Sequence, residues 1–208
     1  NSRRVYPRIL LGRATEMIND GRLNEADALL TKILDEPFNR SVLPYTYFWK
    51  GEIGYRNNQL DTAIKYFHAY LDAGAPVSAE ANPVNARYNL GYAYLRKENY
   101  KVSVTFFEPL IKAPALNTDA FTQDSYMRTA DNYFMLKNYD RARSMYDNAI
   151  KLSWPAEDYA TFQIAMLAGV RSATEKINGM NTMIRKFPES PLAVDANMEI
   201  ANTYLGNE

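Results

Sequence analysis

The sequence predicts an all-α protein built from repeated helical hairpins. Three observations carry this expectation. First, small residues return in phase: Ala14, Gly51, Gly91, Ala130 and Ala165, each followed twelve residues later by Ala26, Ala63, Ser103, Ala142 and Ile177. The second series has periods of 37, 40, 39 and 35 residues. Second, Pro37, Pro76, Pro114, Pro155 and Pro188 punctuate the chain once per period, where a helix has to end. Third, 208 residues at 47% hydrophobic content can bury a sizeable core.

Each element follows from this repeat. Helices are expected over 4–20, 23–36, 41–57, 60–73, 79–97, 100–112, 119–137, 140–152, 156–170, 173–186 and 191–205. Paired small residues let two antiparallel helices cross closely. Leu23, Leu60, Tyr100 and Tyr139 plug the turn between them, and Asn24, Asp61 and Asp140 follow as expected caps of the second helix. Four residues beyond the second small position, Leu30, Phe67, Phe107 and Tyr146 supply the next inward contact. The fifth copy departs from the pattern, with Ile177 and Asn181 at these two places. The resulting organisation is one domain, 1–208, with repeats 4–40, 41–78, 79–116, 117–155 and 156–190 and a terminal helix in 191–208. That last helix reads as a sixth first helix, either a cap or a cut through a longer array; Met198, Ile200 and Leu205 favour the cut. The opening Asn1-Ser2-Arg3-Arg4, without an initiator Met, likewise suits an excised segment.

Leu90-Gly91-Tyr92-Ala93-Tyr94 and Asn138-Tyr139-Asp140-Arg141-Ala142 are the copies that most resemble the tetratricopeptide repeat (TPR) family, whose unit is a helical hairpin of ~34 residues. The resemblance covers nearly the whole chain. It implies a right-handed superhelical solenoid of about five hairpins plus a terminal helix, and a non-enzymatic scaffold that holds a protein or peptide in its concave groove; the alternatives are a helical repeat domain of a larger envelope enzyme or transport assembly, or a carbohydrate-binding helical module.

Composition narrows the alternatives. Twenty-four basic residues balance 24 acidic ones, which argues against a nucleic-acid footprint. No apolar stretch approaches the ~18 residues that a transmembrane helix needs. Cys is absent and His68 stands alone, which removes thiol nucleophiles and His- or Cys-based metal sites; no catalytic residue, metal or cofactor is expected. His68, between Phe67 and Ala69, reads as structural or solvent-facing. Glu157 and Asp158, adjacent on one helix, point apart and suit the dipole of a helix N-terminus. Asn39-Arg40-Ser41 satisfies a glycosylation sequon and by itself carries no weight.

The aromatic load, 16 Tyr, 9 Phe and 2 Trp, divides between core and surface. In the resembled family the groove is lined by first helices, six and three residues before the small residue and one, four and five after it. Carried onto this sequence, those offsets select Tyr45, Phe48, Glu52, Tyr55 and Arg56 in the second copy. They give Asn85, Tyr88, Tyr92, Leu95 and Arg96 in the third copy and Asp124, Met127, Asp131, Phe134 and Met135 in the fourth. The first copy adds Arg8, Leu11, Thr15, Ile18 and Asn19, and the fifth Tyr159, Phe162, Met166, Gly169 and Val170. Tyr supplies contact area at low entropy cost, and Arg56 and Arg96 suit a carboxylate on the partner. Asn85, Arg56 and Arg96 only partly echo the charged clamp with which some TPR grooves hold chaperone tails. Phe187-Pro188-Glu189-Ser190-Pro191 resembles a linker of bacterial-envelope TPR proteins, and Tyr47-Phe48-Trp49-Lys50-Gly51-Glu52 resembles repeats in large envelope TPR proteins of the Bacteroides type. A periplasmic or outer-membrane-associated location in a Gram-negative bacterium is expected, with the cytoplasm as the competitor.

Overall fold

The structure is a computed structural model that describes residues 2–206. Among them, eleven α-helices run in sequence, with no strand. They are α1 (Ser2–Asn19), α2 (Leu23–Asp35), α3 (Leu43–Arg56), α4 (Leu60–Asp72), α5 (Pro83–Arg96), α6 (Tyr100–Phe107), α7 (Ala120–Met135), α8 (Tyr139–Lys151), α9 (Glu157–Gly169), α10 (Ala173–Lys186) and α11 (Leu192–Leu205). The all-helical hairpin architecture expected from the sequence is present. The chain divides into two compact units, Asn1–Phe106 and Phe107–Glu208.

The small-residue phase marks where helices touch. Ala14, Ala26, Ala63, Ala130 and Ala142 are fully buried. A Cβ added at Gly51 would lie 2.9 Å from the Phe67 ring, and one at Gly54 2.9 Å from the Ala63 backbone nitrogen. Glycine is therefore what lets α3 and α4 approach this closely. The Ser103 hydroxyl donates to the Gly91 carbonyl at 2.8 Å, so the one polar member of the series is satisfied at its crossing.

In four hairpins the turn is closed by the backbone. Gly21, Asn58, Glu98 and Lys137 sit at the same repeat position, each with positive φ (76°, 58°, 58° and 62°). The next residue's N–H reaches back five residues: Arg22 to Met17, Gln59 to Gly54, Asn99 to Tyr94 and Asn138 to Tyr133, at 2.8–2.9 Å. This is a Schellman closure, which satisfies the last carbonyls of the first helix without side chains. It also corrects the expected caps. The second helix starts at the plug residue, so Asn24, Asp61 and Asp140 lie inside the first turn, where the two acids favour the dipole. The capping positions fall to Arg22, Gln59 and Asn138, none of which makes a side-chain cap bond.

The fifth hairpin differs. No positive φ occurs in its turn, and the Ser172 hydroxyl instead caps α10 by accepting from the Glu175 N–H at 3.2 Å. This turn is one residue shorter, which shifts the register of α10. Met180 and Met183, both fully buried, occupy the slots that Phe67 and Tyr70 fill in α4, while Ile177 is half-buried and Asn181 exposed. The apparent departure at Ile177 and Asn181 was a deletion in the turn, not a degenerate core. Gly179 takes the close contact, where a Cβ would stand 2.7 Å from the Ala165 Cβ.

Two boundaries move. α5 begins at Pro83 rather than near 79, because Pro suits the first helical turn and the Asn82 side chain accepts from the Asn85 N–H at 2.8 Å. α6 stops at Phe107 and passes into a 3₁₀ turn, Glu108–Leu110, since Pro109 cannot extend the α-helical ladder. The punctuating prolines fall after the second helices as expected. Asn39, buried, spends its side-chain N–H on the Ile33 carbonyl at 2.9 Å, so the sequon asparagine serves the end of α2.

Each unit has its own core. In the first, Phe48 packs edge-on against Trp49, Phe67 and Tyr70 at 5.4–5.6 Å between ring centroids. In the second, one cluster joins Ala165, Met180, Met183 and Ala196, with Phe162, Met166 and Ile200 packed against it.

A candidate recognition face in the first unit and a half-buried carboxylate in the second

In the first unit, residues of three successive first helices connect along one face. The Arg56 guanidinium, near the end of α3, donates to Glu52 at 2.8 Å and to the Ile18 carbonyl of α1 at 3.4 Å. The other Glu52 oxygen accepts from Asn89 of α5 at 3.0 Å. Arg96, at the end of α5, lies over the Tyr55 ring at 5.1 Å and donates to Asn58 at 2.5 Å. Polar contacts thus run α1–α3–α5 through Glu52. Tyr88 and Tyr92 meet edge-to-face at 5.0 Å, and both are half-buried, as are Tyr45 and Tyr55. Arg56 and Arg96 are exposed. Arginine over a tyrosine face keeps both groups ordered while leaving guanidinium donors available.

Of the expected groove residues in this unit, Ile18 is a correction, fully buried on α1, and Phe48 is a second. It is 3% exposed and forms the centre of the aromatic core. Asn85 is committed to the start of α5, with its side-chain N–H on the Glu80 carbonyl at 2.7 Å. Tyr45, Glu52, Tyr55, Arg56, Tyr88, Tyr92 and Arg96 remain accessible in part or in full.

The second unit uses the same repeat positions for a different purpose. Met127 is 1% exposed and belongs to the core, so it too leaves the groove set. Asp131, the repeat equivalent of Glu52, accepts the Tyr146 hydroxyl at 2.5 Å and the Tyr159 hydroxyl at 2.9 Å, and pairs with Arg128 at 2.6 Å. Arg128 also approaches Asp124 at 3.5 Å and lies 5.1 Å from the Tyr159 ring centroid. Burial raises the Asp131 carboxyl above its ordinary range, opposed by the Arg128 charge and the two phenols. The same burial, next to a carboxylate, raises the Tyr146 and Tyr159 hydroxyls far above their usual value. Phe134 is half-buried against Tyr139 at 5.9 Å.

Sequence reasoning missed two constellations. Lys50, 7% exposed, crosses from α3 to α2, where it binds Asp27 at 2.8 Å and Thr31 at 2.9 Å. The signal was a lysine directly after the aromatic run 47–49. Asp131 and Tyr159 were both selected by the groove offsets and Tyr146 as an inward contact, but nothing in the sequence joined the three. His68 lies against Tyr94 and Phe106, with its Nε2 3.2 Å from the Tyr94 hydroxyl, which is a packing role. Glu157 and Asp158 open α9, as the dipole argument required. Among the described residues no group of three His, Cys, Asp or Glu side chains is placed to hold a metal, and no helix is long and apolar enough to cross a membrane.

Two tetratricopeptide repeat family models match the chain, one over residues 55–117 and one over 124–153. No curated protein sequence matches it. Among solved structures, the fold is similar to YrrB, a TPR protein with an unusual peptide-binding site, at TM-score 0.70 and 16% identity over 91% of this chain and 90% of that one. It is similar to a TPR protein from Parabacteroides merdae (TM-score 0.68, 18% identity, 96% of this chain, 73% of that one). MamA from Desulfovibrio magneticus also aligns, at TM-score 0.66 and 13% identity, over 89% and 97% of the two chains. With in-phase hairpins in both units, and family models matching residues 55–117 and 124–153, the chain carries tetratricopeptide repeats.

Proposed function

We propose that this protein is a non-enzymatic interaction scaffold that holds a peptide or helix of a protein partner on the first-helix face of its first unit. The observation that carries the reading is the connected row through Ile18, Arg56, Glu52 and Asn89, flanked by Tyr55 under Arg96 and by the Tyr88–Tyr92 pair. Such a row fixes aromatic anchors and cations on rigid helices, so a bound segment meets a preorganised surface. The exposed guanidinium groups of Arg56 and Arg96 suit an acidic side chain or a C-terminal carboxylate. The peptide-binding site of YrrB, on a similar fold, adds support. A right-handed superhelix and a bacterial-envelope location belong to the same proposal; cell fractionation tests the latter.

The experiment is selection of a peptide ligand from a displayed random library on the native chain, followed by Tyr88→Ala. Affinity and melting temperature are measured on one preparation. The reading expects affinity to fall by ~2 kcal/mol or more, at near-native melting. Retained affinity with a large fall in melting temperature would move Tyr88 into the core and remove the face.

A further inference from the structure

Arg56 and Arg96 stand at the same repeat position, five residues after Gly51 and five after Gly91, yet their surroundings differ. The Arg56 guanidinium is held by a carboxylate of the protein itself: its Nε donates to Glu52 Oε1 at 2.8 Å, one turn back on α3. Glu52 is fixed there, because its second oxygen accepts from Asn89 of α5 at 3.0 Å and its side chain is only 18% exposed. A further Arg56 donor is spent on the Ile18 carbonyl at 3.4 Å. An acidic group brought to Arg56 would meet a cation already neutralised, with a carboxylate of its own sign beside it.

The printed partners of Arg96 are neutral. Its Nη2 donates to Asn58 Oδ1 at 2.5 Å, and the guanidinium lies over the Tyr55 ring at 5.1 Å. The tyrosine orients the guanidinium plane, and Asn58 takes only part of its fork of N–H donors. The next residue, Lys97, is paired with Asp61. At the groove positions of α3 and α5 the charged residues are Glu52, Arg56 and Arg96, which leave a single positive charge uncompensated.

We propose that Arg96 alone takes the acidic group of the bound segment, and that Glu52 sets this specificity by occupying Arg56, so that a second carboxylate is refused. The inference rests on the recognition face described above and names what that face selects: a segment carrying a single carboxylate. The place of that carboxylate follows from α5. Tyr92 and Tyr88 lie one and two helical turns before Arg96, about 6 and 12 Å along the helix axis. In an extended segment, at about 3.3 Å per residue, the carboxylate stands about two to four residues from the apolar side chain that meets the tyrosine pair.

The test uses the 208-residue chain and two variants, Arg96→Ala and Glu52→Gln, each checked for native helicity by circular dichroism. Peptides are selected on the native chain from a displayed random library with free C-termini. The carboxylates of the tightest binder are then replaced one at a time, an Asp or Glu by its amide and the C-terminus by a carboxamide. One replacement, and only one, is expected to weaken binding about tenfold or more, and it assigns the group to a side chain or to the chain end. On Arg96→Ala the same replacement is expected to change affinity by less than about twofold, because the carboxylate has lost its partner. Selection repeated on Glu52→Gln is expected to return peptides with two carboxylates, both needed by that variant and only one by the native chain. Carboxylate dependence that survives in Arg96→Ala overturns the inference. So does a native chain that needs no carboxylate or two, or a Glu52→Gln variant that selects the same single-carboxylate peptides. Tyr88→Ala separates the two levels: affinity lost there alongside any of these results leaves the face standing and removes only this reading of its charges, whereas affinity retained removes both.

Discussion

Glu52 and Asp131 occupy the same place in their repeats, one residue after the small residue of the crossing, yet they do different things. Glu52 ties neighbouring first helices together along a face, through Arg56 and Asn89. Asp131 is held under two phenols, one from its own second helix and one from the next first helix. A single atom accounts for much of the difference. The second-helix residue above Asp131 is Tyr146, and its counterpart above Glu52 is Phe67, which has no hydroxyl to offer. A repeat position is thus a geometric slot, and its role is set by the hydrogen-bonding capacity of the aromatic ring opposite.

The largest expected effect follows from removing the locked carboxylate. Asp131→Ala strands two hydroxyls and a guanidinium, and should lower stability by ~3–5 kcal/mol in denaturant titration. An effect no larger than that of Glu52→Ala would erase the distinction. Ala142→Leu, which overpacks the α7–α8 crossing in the same unit, should cost ~1–3 kcal/mol. An unchanged denaturant midpoint would put the repeat phase there in error. Tyr146→Phe makes the second unit resemble the first at this slot, and should cost ~1 kcal/mol, or up to ~3 if the carboxylate finds no substitute donor.

Burial raises phenols in both units, Tyr70 and Tyr100 in the first among them, so alkaline pH acts on the two together. Burial, together with the Glu108 carboxylate, pushes the Tyr133 hydroxyl up to about 12, and Tyr146 and Tyr159 move in the same direction. A phenol whose folded-state pKa is raised contributes stability that is complete below the unfolded value of 10.0 and is lost as pH rises through the folded value. Unfolding free energy should therefore hold up to about pH 10 and fall between there and pH 12. It should be accompanied by late phenolate absorbance at 295 nm. Tyr159→Phe should remove part of that fall. Smallest of all, Glu52→Ala should cost under ~1 kcal/mol, since its partners stay solvated.

The hairpins were legible because the small residues and prolines are local signals with a fixed phase. The turns were less so. A Schellman closure is made by backbone atoms, so Glu98 and Lys137 carry no mark of the left-handed conformation they adopt. The fifth hairpin was misread because a one-residue deletion in the turn moved Met180 and Met183 out of the expected register. Phe48 and Met127 were assigned to a groove by offset alone. Offsets give the side of a helix but not the depth at which the next helix covers it. Asp131 was placed correctly in the repeat, but its partners lie 15 and 28 residues away, beyond any local pattern.

The central claim is that one face of the repeat is for recognition in the first unit, while the equivalent carboxylate in the second serves stability. The direct test pairs Arg96→Ala with Tyr159→Phe, measuring affinity for the selected peptide and melting temperature on the same preparations. The account predicts that Arg96→Ala weakens binding at least tenfold, at about 1.5 kcal/mol or more roughly the worth of one charge-assisted hydrogen bond, with melting unchanged. Tyr159→Phe should instead lower the melting temperature by several degrees and leave affinity intact. The reverse pattern, binding lost through Tyr159 and stability lost through Arg96, would contradict it.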